Sequence, residues 1–82
     1  MIRQVAGPVK RSVMIAGHAT SITLEPIFWR ALEAAATRLQ LPLNALVARI
    51  DAARISQPSP HNLASAIRVW LYENAVNENI SQ

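Results

Sequence analysis

The sequence predicts a mainly α-helical domain with one short β-strand, assembled as an intertwined homodimer. A six-residue segment, residues 19–24, alternates between two kinds of side chain, and three stretches with helical spacing follow it. Hydrophobic residues make up 51% of only 82 residues, which is a high share for a small domain and favours a buried interface between subunits.

The strand segment reads Ala-Thr-Ser-Ile-Thr-Leu. Alternation places its side chains in two sets on opposite faces, Thr20, Ile22 and Leu24 against Ala19, Ser21 and Thr23. A lone strand leaves its backbone N–H and C=O groups unpaired, and no second strand of the chain is convincing. We therefore expect the same strand of a second copy to pair with it, giving a two-stranded antiparallel intersubunit ribbon.

The residues before the strand leave an alternative open. Residues 10–15 are compatible with a strand, and Ala16, Gly17 and His18 can form a turn. Within the predicted ribbon region, residues 10–25, this segment either extends the ribbon or folds back on its edge. Residues 1–9 contain Gly7 and Pro8 and are expected to form a flexible arm.

Three helices are predicted, over residues 26–40, 43–55 and 62–76. Pro26 suits a first helical turn, and Pro42 separates the first two helices because the residue before proline avoids helical geometry. A proline-containing loop precedes the third helix, whose N-cap is Ser59, His61 or Asn62. The polar residues 77–82 are expected to be frayed. Trp29 and Trp70 fall on the apolar stripes, as anchors of a core or interface.

Positive charge is concentrated at the start of the chain. Residues 1–24 carry three basic residues and no acid, whereas residues 25–82 carry five arginines and five acids, so the whole formal charge of +3 lies in the first part. Lys10 and Arg11 beside a strand suit contact with nucleic-acid phosphates. The alternative is a solvated arm that aids solubility.

Several classes of function find no support in the sequence. Cysteine is absent, and the two histidines, His18 and His61, have no second ligand at metal-binding spacing. The carboxylates are not paired, and two glycines do not make a phosphate-binding loop. We therefore expect neither an enzyme nor a cofactor. No segment is long and apolar enough for a membrane span, and a cytoplasmic protein is expected.

A family resemblance is carried by several short runs. They are Ser-Ile-Thr-Leu-Glu-Pro at residues 21–26, Leu-Pro-Leu-Asn-Ala-Leu-Val at residues 41–47, Lys-Arg-Ser-Val at residues 10–13 and Asn-Leu-Ala-Ser-Ala-Ile-Arg-Val at residues 62–69. The chain resembles the ribbon-helix-helix superfamily of Arc/MetJ/CopG-type DNA-binding dimers. It is more closely similar to a proteobacterial subfamily with an extra C-terminal helix.

The resemblance implies which residues touch DNA. Solvent-facing ribbon residues enter the major groove, and by position these are Ala19, Ser21 and Thr23. The start of the second helix holds a phosphate through backbone N–H groups, here those of Leu43 and Asn44. Two departures predict weaker binding: Ala19 has no hydrogen-bonding side chain, and Pro42 stands where many relatives have a capping Ser or Thr.

Two functions are consistent with the sequence. The first is a homodimeric bacterial transcriptional regulator that reads double-stranded DNA as a dimer or as a tetramer of paired dimers. The second is a protein-interaction or antitoxin-like module without specific DNA reading. Its partner would bind the broad apolar surface of the third helix, which includes Val69, Tyr72 and Val76.

Overall fold

The computed structural model describes residues 7–60 and 62–80, with side-chain surroundings described as far as residue 75. Two strands are followed by three helices: β1 (Val9–Ile15), β2 (His18–Leu24), α1 (Pro26–Arg38), α2 (Leu43–Ile55) and α3 (Leu63–Ile80). This order confirms the predicted ribbon-helix-helix architecture with an extra C-terminal helix. No helix among the described residues is long and apolar enough to cross a bilayer.

The two strands form an antiparallel hairpin within one chain. Its two-residue turn, Ala16 and Gly17, has φ angles of 51° and 82°. Positive φ at both central residues is the geometry of the tight turn that matches strand twist, and glycine adopts it without strain. The inference that no strand of this chain pairs with β2 is therefore wrong, because β1 folds back onto it.

The hairpin has one apolar and one exposed face. Val13, Ile15, Ile22 and Leu24 are buried, with Leu24 fully inaccessible. The helices cover this face, and their buried residues complete a single core: Trp29, Leu32, Ala35, Ala36, Leu46, Val47, Ile50 and Ile67. Thr20 lies on the same side but is half-buried.

Helix α1 ends two residues before the predicted boundary at Gln40. Leu39 is its C-cap, and Gln40 takes the left-handed conformation, with φ of 58°. The amide of Leu41 donates to the carbonyl of Ala36 at 2.9 Å, and that of Gln40 donates to Thr37 at 3.0 Å. This is the Schellman pattern of helix termination, with glutamine at a position that usually holds glycine.

The other two helices begin at recognisable caps. Pro42 is the N-cap of α2, with extended backbone geometry. Asn62, one of the three candidates, caps α3 through its side-chain oxygen, which accepts the amide of Ser65 at 2.8 Å. The chain after residue 60 contains neither glycine nor proline, and α3 continues four residues past the predicted end at residue 76.

The predicted arm, residues 1–9, lies partly outside the described residues. Residues 1–6 are in the undescribed part, and β1 already begins at Val9.

Candidate nucleic-acid interface

One face of the hairpin consists of exposed residues. Ala19, Ser21 and Thr23 lie together on it, as the alternation predicts. The strand register sets three residues of β1 beside them, in the pairs Lys10 with Thr23, Ser12 with Ser21 and Met14 with Ala19. These six residues are called the outward face below.

The chemistry of the outward face is polar and free of acids. Its hydroxyl groups, on Ser12, Ser21 and Thr23, are each able to donate or accept a hydrogen bond. Lys10 is the cation of this face, and no ion pair to it is found among the described residues. Met14 is 53% exposed and adds an apolar side chain to this face near the turn. Such a face presents no negative charge to a polyanion.

Ser12 and Met14 were not among the residues predicted to touch DNA. The signal for them was present, because Lys10, Ser12 and Met14 alternate with Arg11, Val13 and Ile15 in the same way as the residues of β2. Without a known partner strand, that alternation did not say which face they join.

Arg11 lies on the opposite face from Lys10. Its Nη1 is 3.1 Å from Oε2 of Glu33, and its guanidinium carbon lies 4.4 Å from the centre of the Trp29 ring. The Trp29 indole N–H in turn donates to the carbonyl of Val9 at 2.9 Å. These contacts fasten β1 to α1, so Arg11 would have to leave Glu33 and Trp29 to reach a phosphate.

One edge of β2 is not used by the hairpin. A two-residue turn makes Ile15 and His18 a hydrogen-bonded pair, and such pairs alternate along an antiparallel ladder. The backbone groups of Ala19, Ser21 and Thr23 therefore point away from β1. This edge offers three N–H and three C=O groups to another strand.

The start of α2 exposes backbone donors. Ala45 and Leu46 donate to the carbonyl of Pro42, at 3.0 and 3.1 Å. Within the described part of the chain, the amides of Leu43 and Asn44, the first two residues of α2, donate to no backbone carbonyl. Free amides at a helix N-terminus attract anions.

The carboxylate of Glu25, which follows β2, forms an ion pair with Arg68. Oε1 of Glu25 accepts hydrogen bonds from Arg68 on α3, at 2.9 Å from Nη2 and 3.1 Å from Nε. A backbone N–H bond at Glu25 and the Arg68 hydrogen bond and charge lower the pKa of Glu25 below its ordinary value. At neutral pH the ionised Glu25 is therefore favoured, and Arg68 balances its charge.

A separate groove of about 340 Å³ runs between α2 and α3. Its lining includes Ile50, Ala66 and Trp70, together with Arg54 and Glu73. Val69, which lines this groove, is 51% exposed, and Tyr72, also on α3, is 72% exposed. Val76 lies on α3, but its side chain is outside the described set.

The described residues contain no group of three metal-ligating side chains. His18 is exposed at the start of β2, and His61 lies outside the described residues.

Comparison with known proteins identifies a family. The model of a family described as the ribbon-helix-helix domain matches residues 8–75, from just before β1 into α3. Neither a curated protein nor a solved structure matches the chain significantly.

Proposed function

The chain belongs to the ribbon-helix-helix domain family, and from this premise we propose that it is a homodimeric DNA-binding protein. We propose more specifically a cytoplasmic bacterial transcriptional regulator that places its β-ribbon in the major groove. Members of the family typically form dimers that bind DNA. The observation that carries the proposal for this chain is the outward face, which is exposed, polar and free of acids.

The dimer is proposed to form through the free edge of β2. Antiparallel pairing centred on Ser21 sets Ser21 opposite its own copy and Ala19 opposite Thr23. This register uses every outward backbone group of the edge, whereas a shift by two residues leaves some unpaired. The ribbon at the centre of the dimer then consists of β2 from both protomers, flanked by both copies of β1.

Base contacts are assigned to Ser21 and Thr23, with Ala19 in van der Waals contact. A hydroxyl matches several base edges, and the Thr23 methyl suits the methyl of thymine. Phosphate contacts are assigned to Lys10 and to the amides of Leu43 and Asn44, since charge and backbone donors position a protein without reading sequence.

The test is a binding titration against labelled duplexes at two salt concentrations. Wild type should enrich a preferred sequence from a random pool and bind it below micromolar concentration, with an affinity that falls as salt rises. Ser21→Ala should relax the preference by about 1–3 kcal/mol at the contacted base. Ser59→Ala, the same change on the loop before α3, serves as the control. Failure of wild type to bind any duplex near 50 mM salt would refute the proposal.

A second candidate function is a protein-interaction module, which the exposed Val69 of the α2–α3 groove and the exposed Tyr72 of the same helix favour. Exposed apolar residues around a groove are typical of docking sites. In an in vivo assay of the protein, Tyr72→Ala and Val76→Ala would then abolish function while Ser21→Ala and Thr23→Val had no effect. The opposite pattern would favour DNA reading.

A further inference from the structure

The two strands of the hairpin have different positions relative to bound DNA, and the inference drawn from this difference rests on the proposed function. We propose that β1 is a phosphate-contacting strand. The outward side chains of Lys10 and Ser12 contact the DNA backbones along the walls of the major groove, and β2 alone reaches the bases.

The position of β1 follows from strand spacing. Neighbouring strands lie about 4.8 Å apart, so in a dimer paired through β2 the two central strands lie about 2.4 Å from the dyad and each β1 lies about 7 Å from it. The major groove is about 12 Å wide, which places its walls about 6 Å from the same axis. Two strands fill the groove, and the outer pair stands over the sugar–phosphate backbones.

The residues of β1 suit that position. Lys10 and Ser12 are exposed on the outward face, and a lysine ammonium and a serine hydroxyl are both donors to phosphate oxygens. The outward face carries no carboxylate to repel the backbone, and the remaining cation of β1, Arg11, is held on the opposite face by Glu33.

The register distributes these donors over both walls. Ser12 lies beside Ser21 in the central row of the sheet, and Lys10 lies beside Thr23 in the next. With Ser21 on the dyad, the Lys10 of one protomer shares its row with the partner's Met14. Each wall of the groove therefore receives one lysine and one serine, related by the dyad of the site.

The experiment measures how affinity for the selected duplex depends on salt. Replacing both lysines of the dimer by Lys10→Gln should reduce the slope of log K against log salt by about 1.8, at about 0.9 per phosphate, without altering base preference. Arg30→Gln removes the same charge from an exposed position on α1, which packs behind the sheet, and should change the slope much less.

A second measurement locates the contacts. Duplexes with single neutral methylphosphonates should show two positions, related by the dyad, that weaken wild type but not Lys10→Gln. Ser12→Ala should weaken binding equally for all sequences, whereas Ser21→Ala changes the preferred sequence.

The outcomes separate the two proposals. If wild type binds DNA but Ser12→Ala changes base preference, or Lys10→Gln leaves the slope unaltered, β1 is not a phosphate strand and the inference fails while the proposed function stands. If wild type binds no duplex, both are overturned.

Discussion

Gln40 occupies a backbone conformation that its side chain disfavours. Its φ of 58° belongs to the left-handed region, which glycine enters without a steric penalty. We expect Gln40→Gly to raise the free energy of unfolding by about 0.5–1 kcal/mol, since relief of the strain exceeds the added flexibility of the unfolded chain. Chemical denaturation measures this difference.

Gln57 supplies the control for that substitution. It follows the C-cap of α2 and is not among the described residues with positive φ. Gln57→Gly should therefore leave stability unchanged or lower it, and an equal gain in both variants would show that the geometry of Gln40 is not the cause.

Trp29 combines burial with a specific hydrogen bond. It is 4% exposed, and its indole N–H donates to the carbonyl of Val9. Trp29→Phe removes that donor and leaves a gap beneath Arg11, so we expect a loss of about 1–3 kcal/mol in urea unfolding. Trp70→Phe, at a half-buried position on the α2–α3 groove, should lose clearly less. Similar losses would contradict the role assigned to the Val9 bond.

At the scale of elements, Glu25 and Arg68 join the start of α1 to α3. Because the folded state lowers the pKa of Glu25, protonation of its carboxyl opposes folding. The contribution of Glu25 to stability is complete above the ordinary carboxyl pKa of 4.5 and declines as pH falls through its lower folded-state value.

Stability measured from pH 7 downwards should therefore fall less steeply below pH about 4.5 in Glu25→Gln than in wild type. Arg68→Gln should reduce the pH dependence only in part, since the backbone hydrogen bond is the larger cause of the pKa shift. NMR titration of the Glu25 carboxyl gives the same comparison directly, and a pKa at the ordinary value would contradict it.

The periodicity of the sequence predicted the type of these elements better than it predicted their ends. The alternation of residues 19–24 and the helical spacing after Pro26 correctly indicated a strand followed by three helices. Helix ends were less predictable, because residue type does not fix the position of a cap. The left-handed conformation of Gln40 and the capping of α3 by Asn62 and not Ser59 depend on the local backbone geometry.

At the scale of the whole molecule, the proposed dimer uses only one of the two outer edges of the hairpin, that of β2. Ser12 and Ser21 are directly opposite each other, and the backbone N–H of each points away from the other strand. Proline at either site therefore spares the hydrogen bonds inside the hairpin but blocks its own outer edge.

We expect Ser21→Pro to give a monomer in analytical ultracentrifugation at micromolar concentration and to lose DNA binding. Ser12→Pro, on the edge of β1, should remain a dimer. Circular dichroism checks that both variants are folded. A dimer that survives Ser21→Pro but not Ser12→Pro would reverse the proposed assembly.

Neighbouring residues alone were enough to predict where this chain is extended, where it is helical and which β2 side chains face solvent, because those properties follow from backbone periodicity and side-chain polarity. Three features depended on contacts between segments that are distant in the sequence. They are the pairing of β1 with β2, the inward direction of Arg11 and the groove beside Trp70. The reason is that, by composition alone, β1 and a second copy of β2 are equally able to form hydrogen bonds to β2. The hairpin is specified by the turn at Gly17 and by the contacts of Trp29 with Arg11 and Val9, and it leaves the opposite edge of β2 for the proposed second copy.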